Sequence, residues 1–212
     1  MIKTVICDFD GTIVDSGQVV FDLFNEFADK YNYKKIPQSE SDRIRALTVK
    51  ERFKEYEVPL LKVPMLTMDV VKRYKKSISN LEVNDGMKRV LKKLKELGIK
   101  LVMISANSKE NIEKFLKLND MEYFDEIIQS SRFFGRHTTM NNYMKKNDVK
   151  KDEIILIADE HRDIVAARKS GIPIISVTWG YDLEELLAKS NPDFLVSCPQ
   201  DVANIVWNDN EC

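Results

Sequence analysis

Apolar residues along this chain recur in two rhythms. Ile2 to Cys7 is an apolar run broken only by Lys3 and Thr4, and such a run reads as a buried strand. From Gly17 the period changes. Val20, Phe21, Phe24, Phe27, Ala28 and Tyr31 fall three and four apart, the stripe of an amphipathic helix. Pro37 breaks it. Ser39 caps a second helix toward Leu47, with Glu40 and Asp42 in the first turn, where acids suit the positive helix end. Thr48 caps a third helix through Phe53 to Tyr56. Pro59 and Pro64 interrupt, and Met68, Val71 and Tyr74 mark a last helix ending near Ser79. Residues 16–81 therefore read as a helical, basic-rich stretch with no strand.

Beyond Asp85-Gly86 strands and helices alternate. Met87, Val90, Leu91, Leu94 and Leu97 mark a helix closed by Gly98. Ile99 to Ile104 is a continuously apolar strand, as expected where both sheet faces are covered. Ser108 caps a helix with Ile112, Phe115 and Leu116 inward. Glu126 to Gln129 is a short strand, and a helix starts at Thr138 or Thr139. Ile154 to Ala158 is a buried strand, followed by a helix stopped by Gly171. Pro173 to Val177, a helix from Leu183 to Lys189, an edge strand at Phe194 to Val196 and a helix opened by Pro199 complete the pattern. Strands separated by helices predict an α/β fold, a Rossmann-like doubly wound parallel sheet. The expected division is an α/β core of residues 1–15 and 82–212, with a small inserted α-helical unit over 16–81.

Composition narrows the function little. The chain has 212 residues, 43% hydrophobic and 32% charged, an ordinary globular composition. Its 33 basic and 34 acidic side chains give a formal net charge of -1. That balance predicts neither nucleic acid nor an anionic membrane as partner. No apolar stretch approaches a membrane span, and no signal-peptide pattern is visible. Cys7, Cys198 and Cys212 have neither metal-ligand nor disulfide-framework spacing. A reducing, cytoplasmic location is expected. No glycine pattern of a P-loop or dinucleotide fingerprint occurs.

The chemistry collects at strand ends. Asp8 and Asp10 follow the first strand and precede Gly11 and Thr12. Their period-two spacing puts both on one side of an extended chain, at the carboxyl end of a strand, where open α/β sheets place their sites. Two acids that close repel unless a cation or proton lies between them. Ser105 and Asn107 end the next core strand, just ahead of a helix N-terminus that favours an anion. Asp159, Glu160 and Asp163 end the Ile154–Ala158 strand. Taken singly, each suits a helix start. Three beside Asp8 and Asp10 make an excess of negative charge, which a hard divalent cation such as Mg²⁺ resolves.

Asp8-Phe9-Asp10-Gly11-Thr12, with Val14-Asp15-Ser16 after it, resembles the first motif of the haloacid dehalogenase superfamily, in its phosphatase branch. Ser105 stands where the second motif has its phosphate-binding hydroxyl. Asp159 to Asp163 matches the spacing of the fourth motif, with Ala158 in place of the usual glycine. Ser130-Ser131-Arg132-Phe133-Phe134-Gly135-Arg136 is similar to the third motif of phosphoglycolate-phosphatase-like members, with Arg136 at the lysine position. Lys145 and Lys146 lie about nine residues on, more than two helical turns away.

The resemblance implies a Mg²⁺-dependent phosphatase acting on a small phosphorylated metabolite. Asp8 would be the nucleophile and Asp10 the general acid/base. Thr12, Ser105, Asn107 and Arg136 would bind the phosphoryl group. Asp8, the Asp10 carbonyl and Asp159 would hold the metal, supported by Asp163 and, less directly, Glu160. The helical insert would be a cap, with Arg43, Arg45, Lys50 and Arg52 as candidate substrate contacts, and the protein a monomer or homodimer. A lysine substituted at position 136 would be expected to match or exceed the native activity unless nearby side chains have adapted to arginine. A phosphomutase of the same fold, or a low-turnover protein binding a ligand or partner, are the alternative readings.

Overall fold

A computed structural model describes residues 1–130 and 135–208. Six parallel strands form one sheet: β1 (Thr4–Cys7), β4 (Lys100–Ser105), β5 (Glu126–Gln129), β6 (Ile154–Ala158), β7 (Ile174–Val177) and β8 (Phe194–Val196). Their order is β5-β4-β1-β6-β7-β8. β1 is therefore central, bonded in register to β4 (Cys7 beside Met103) and to β6 (Cys7 beside Ile157). The order reverses at β1, the switch point where such sheets open a crevice past the strand ends.

Alternation along the strands sorts the core into two layers. On one face Val5, Cys7, Met103 and Ile157 pack against α6 (Met87–Glu96), α7 (Lys109–Leu118) and α11 (Pro199–Asn208). On the other, Ile6, Ile104 and Leu156 pack against α8 (Arg136–Asn147), α9 (His161–Ser170) and α10 (Glu184–Lys189). Each such side chain fully withdrawn from water contributes roughly 1.5–3 kcal/mol before entropy is charged against it.

Between β1 and α6 the chain is helical. α1 (Gly17–Glu26) and α2 (Ala28–Tyr31) part at Phe27, so the first predicted helix is two. α3 (Ser41–Arg45) follows a short 3-10 turn. α4 (Val49–Glu55) starts on Thr48, whose hydroxyl accepts from Glu51 N while Glu51 accepts from Thr48 N, a full capping box. α5 (Val63–Tyr74) begins earlier than the apolar spacing predicts. Pro64 opens this helix rather than interrupting it, because the first turn needs no N–H there. These helices carry their own apolar cluster, including Tyr31, Tyr33, Ile44, Tyr56 and Leu66. Two short strands, β2 (Val14–Asp15) and β3 (Glu82–Val83), pair antiparallel where the helical stretch leaves and rejoins the sheet. Two residues each are too short to leave a periodic signal, and the sequence reading missed them.

Candidate active site

Asp8 is the first residue past β1. Its backbone N–H bonds to Ile157 O at 2.9 Å, which fixes it beside β6. Phe9 points the other way into the core, edge-on to Phe115 with ring centroids 5.3 Å apart. Asp10 thereby returns to the Asp8 side. Gly11 then turns the chain with φ +79°, and a Cβ there would lie 2.2 Å from Asp159 Oδ2. Only glycine serves at such a position. The turn is pinned by Asn84 Nδ2, which donates to Gly11 O and Thr12 O, and by Trp179 Nε1, which donates to Thr12 O.

Arg136, at the start of α8, reaches the first motif. Its Nη2 donates to Asp8 Oδ2 at 2.7 Å and its Nη1 lies 3.1 Å from Asp163 Oδ1. Its side chain is 8% exposed, those of Asp8 and Asp163 3% and 1%. Guanidinium forks across two carboxylates in a way a point charge does not. Lys145 and Lys146 are exposed at the far end of α8, with Lys146 turned to Glu126. Ser131 to Phe134 of the third motif lie outside the described residues.

Among the described residues, three donors meet Asp10. Tyr74 OH donates to Oδ1 at 2.6 Å, Ser16 Oγ to Oδ1 at 3.1 Å and Asn107 Nδ2 to Oδ2 at 3.1 Å. With its one proton so placed, Ser16 accepts from Tyr181 OH at 2.6 Å. Burial, with Asp10 nearby, pushes both phenols far above their usual range, so both remain neutral hydroxyls. Asn107 Oδ1 accepts in turn from Ser108 N and Asn111 Nδ2. Ser105 Oγ, buried, accepts from Asn107 N at 3.1 Å.

The acids after β6 divide. Asp8, Glu160 and Asp163 each offer a carboxylate oxygen within 4.8 Å of the others. Asp159 is not among them. Its Oδ1 accepts from Thr12 Oγ at 2.6 Å and its Oδ2 from Tyr181 N at 2.7 Å. Gly180 presses on it as well, since a Cβ there would stand 2.2 Å from Asp159 Cβ. Thr12 and the loop after β7 thus hold Asp159, while the acids whose oxygens converge are Asp8, Glu160 and Asp163.

The arginines expected to touch substrate are each engaged by protein groups. Arg43 is half-exposed and pairs with Glu40 and Glu55 within the helical stretch. Arg45 donates to Gly180 O at 2.9 Å and Tyr181 O at 3.2 Å, and Arg52 pairs with buried Asp182. These two bind the loop after β7. Lys50 is exposed. Tyr74, Tyr181 and Asp182 went unread in the sequence. Tyr74 counted only as one apolar position of a helix, and no spacing links the other two to motifs 20 to 170 residues away.

The charge around Asp8 tests whether a divalent cation fits. Four carboxylates, Asp8, Asp159, Glu160 and Asp163, face two guanidiniums, Arg136 and Arg162. Counted as formal charges among the described residues, two negative charges remain over. Asp163 Oδ2 is buried with no hydrogen-bond partner, and such an atom is costly to leave unpaired. Burial pushes Asp163 up to about 7, with Arg136 opposing and Asp8 adding. Burial, then Glu160 and Asp8, raises Asp159 well above the usual carboxylate range. Hard oxygen donors, surplus negative charge and an orphaned carboxylate oxygen together suit a hard divalent cation.

The model of the haloacid dehalogenase-like hydrolase family matches residues 5–177. The chain belongs to that family. It is 24% identical over 205 residues to a phosphoglycolate phosphatase of Synechococcus elongatus, covering 96% of this chain and 97% of the relative. Against the pyrophosphatase PpaX of Halalkalibacterium halodurans it is 23% identical, covering 97% of each. A crystal structure of a predicted phosphatase from Clostridium acetobutylicum superposes with a TM-score of 0.82 at 23% identity, over 98% of this chain and all of that one. The last likeness concerns the fold.

Proposed function

We propose that this protein hydrolyses a small phosphate monoester or anhydride with the help of Mg²⁺, through a phosphoryl group carried on Asp8. The observation that carries the reading is the geometry at the end of β1. Asp8 is held by one arm of Arg136, and Asp10, two residues on, by three neutral donors. A carboxylate oxygen of Asp8 attacks phosphorus as the bond to the leaving oxygen breaks, which divides one hard displacement into two. Asp10, protonated at that moment, gives its proton to the leaving oxygen. It then takes one from the water that attacks phosphorus and frees Asp8. Arg136 steadies Asp8 and faces charge on the phosphoryl oxygens. Asp8, Glu160 and Asp163 would hold Mg²⁺, which when bound offsets negative charge on the phosphoryl group.

The stretch 16–81 serves in this reading as a cap on the core of 1–15 and 82–212. Tyr74 supports it, because the end of α5 reaches across to Asp10. Membrane contact is not part of the reading: among the described residues no helix is long and apolar enough to cross one. Cys7 and Cys198 are free thiols, which suits a reducing cytoplasm. The test is phosphate release from an aryl phosphate with and without Mg²⁺. Turnover abolished by a chelator and restored by Mg²⁺ is expected; a rate indifferent to chelation contradicts the reading.

Protons and metal compete for the same acids, so pH has a predictable sign. The unfolded carboxyl of Asp163 titrates near 3.8 and the folded one near 7. Below the first value both states hold the proton and the site carries no charge penalty. Between the two the folded state alone keeps it, so stability without metal falls as pH rises toward 7. Metal binding needs the deprotonated acid and strengthens over the same range. Addition of Mg²⁺ is therefore expected to raise the melting temperature more at pH 8 than at pH 5. Equal increments at the two pH values contradict this.

A further inference from the structure

We propose that Arg45 and Arg52 of the helical insert are positioning residues for the metal-binding acids, acting through the segment 180–183. The inference rests on the metal-dependent reading above and adds to it a hold on the acidic loop from the helical insert. The segment is gripped on two sides. From the insert, Arg45 donates to Gly180 O at 2.9 Å and to Tyr181 O at 3.2 Å, and Arg45 O accepts from Leu183 N at 3.0 Å. Arg52 forms a close ion pair with Asp182 Oδ1. It is itself fixed by Ile44 O at 2.8 Å and Arg45 O at 3.3 Å.

From the core, the same segment holds the acidic loop. Tyr181 N donates to Asp159 Oδ2 at 2.7 Å, and Asp182 Oδ2 accepts from His161 N at 2.6 Å. Asp159 and His161 flank Glu160. The two bonds therefore fix the chain on both sides of the residue that joins Asp8 and Asp163. Asp182 joins the two sides directly, since one of its oxygens faces Arg52 and the other the first N–H of α9. Its side chain is 3% exposed, so its charge relies on these partners. Once Arg52 is gone, Asp182 loses its cation, and its bond to His161 N is no longer braced from the insert. The loop bearing Glu160 is then braced at one end only. Partners that orient metal ligands from behind commonly change metal affinity by about 10- to 100-fold.

The experiment measures Mn²⁺ binding to the full-length chain by electron paramagnetic resonance, with Mn²⁺ standing in for Mg²⁺. Arg52→Ala and Asp182→Asn are each expected to raise the Kd about tenfold. Arg52→Lys keeps a charge for Asp182 and should restore most of the affinity. Arg73→Ala removes an exposed pair with Glu26 in the same insert and should leave the Kd unchanged. If Arg52→Ala does not fold, Arg45→Ala carries the test with the same expected weakening. Native protein that binds Mn²⁺ while the folded variants bind it within twofold as tightly overturns the positioning role alone. Native protein that binds no Mn²⁺ overturns the metal-dependent reading and the positioning role together.

Discussion

Asp8→Asn is expected to release no phosphate from any ester that the native protein cleaves, while folding normally. Asparagine keeps the shape of the side chain and its acceptor for Phe9 N, now at 2.7 Å from Asp8 Oδ1. It loses the negative charge and the nucleophilic oxygen. Relief of repulsion balances the lost ion pair with Arg136, because Asp8 is one of the charges that raise Asp159 and Asp163. Loss of a covalent nucleophile typically removes several orders of magnitude of rate, with only positioning and electrostatic residue left. Steady-state assay beside circular dichroism checks both halves. A folded variant with a tenth or more of the native rate would falsify the assignment of Asp8.

Arg136→Ala has the second largest expected effect, and it touches stability as well as rate. Arg136 links Asp8 and Asp163, all three buried. Removing one partner of a buried pair costs about 3–5 kcal/mol, because the remaining charge stays buried without compensation. Asp163, already pushed up by burial, would hold its proton to still higher pH without the guanidinium. Asp8 would lose the donor that fixes its orientation, and misplacement on the order of 1 Å costs about a hundredfold in rate. Arg136→Ala should thus melt earlier and fall in kcat/KM by about a hundredfold. Arg136→Lys should fall between. The sequence alone makes lysine the expected equal or better of arginine. The fork seen across Asp8 and Asp163 changes that expectation, since an ammonium replaces one arm and not both. Kinetics that leave Arg136→Ala indistinguishable from native would remove Arg136 from the site.

The parts legible in the sequence were those set by local chemistry. The apolar run before Asp8, the strand at Ile154–Ala158 and the glycine stops at Gly98 and Gly171 each follow from a few neighbouring residues, and each stands where the pattern put it. Thr48 was readable as a cap because Glu51 completes its box within three residues. Pro64 was misread because proline ends one helix and opens another with the same ring. The helix after the third motif starts at Arg136, ahead of the predicted Thr138 or Thr139, since Gly135 with φ +75° already makes the turn. The acids and Arg136 were found as members of motifs. The surroundings of Asp159 were not, because they depend on Gly11, Thr12, Gly180 and Tyr181 closing around it from two distant loops. The contacts that Arg45 and Arg52 make with the loop after β7 were illegible for the same reason. Nothing near Arg45 or Arg52 in the chain reveals that residues 180–182 come to meet them.

The central claim is that the phosphoryl group passes through Asp8. Acid quench during turnover, followed by peptide mass mapping, tests it most directly. Asp10→Asn, given an aryl phosphate whose leaving oxygen departs without an acid, still lacks the base for the second step and should accumulate the labile adduct above native. The account predicts a phosphoryl mass on the peptide that contains Asp8, absent from Asp8→Asn and discharged by hydroxylamine. Phosphate release from native protein and Asp10→Asn with no such adduct at any quench time, or an adduct that persists in Asp8→Asn, would contradict it.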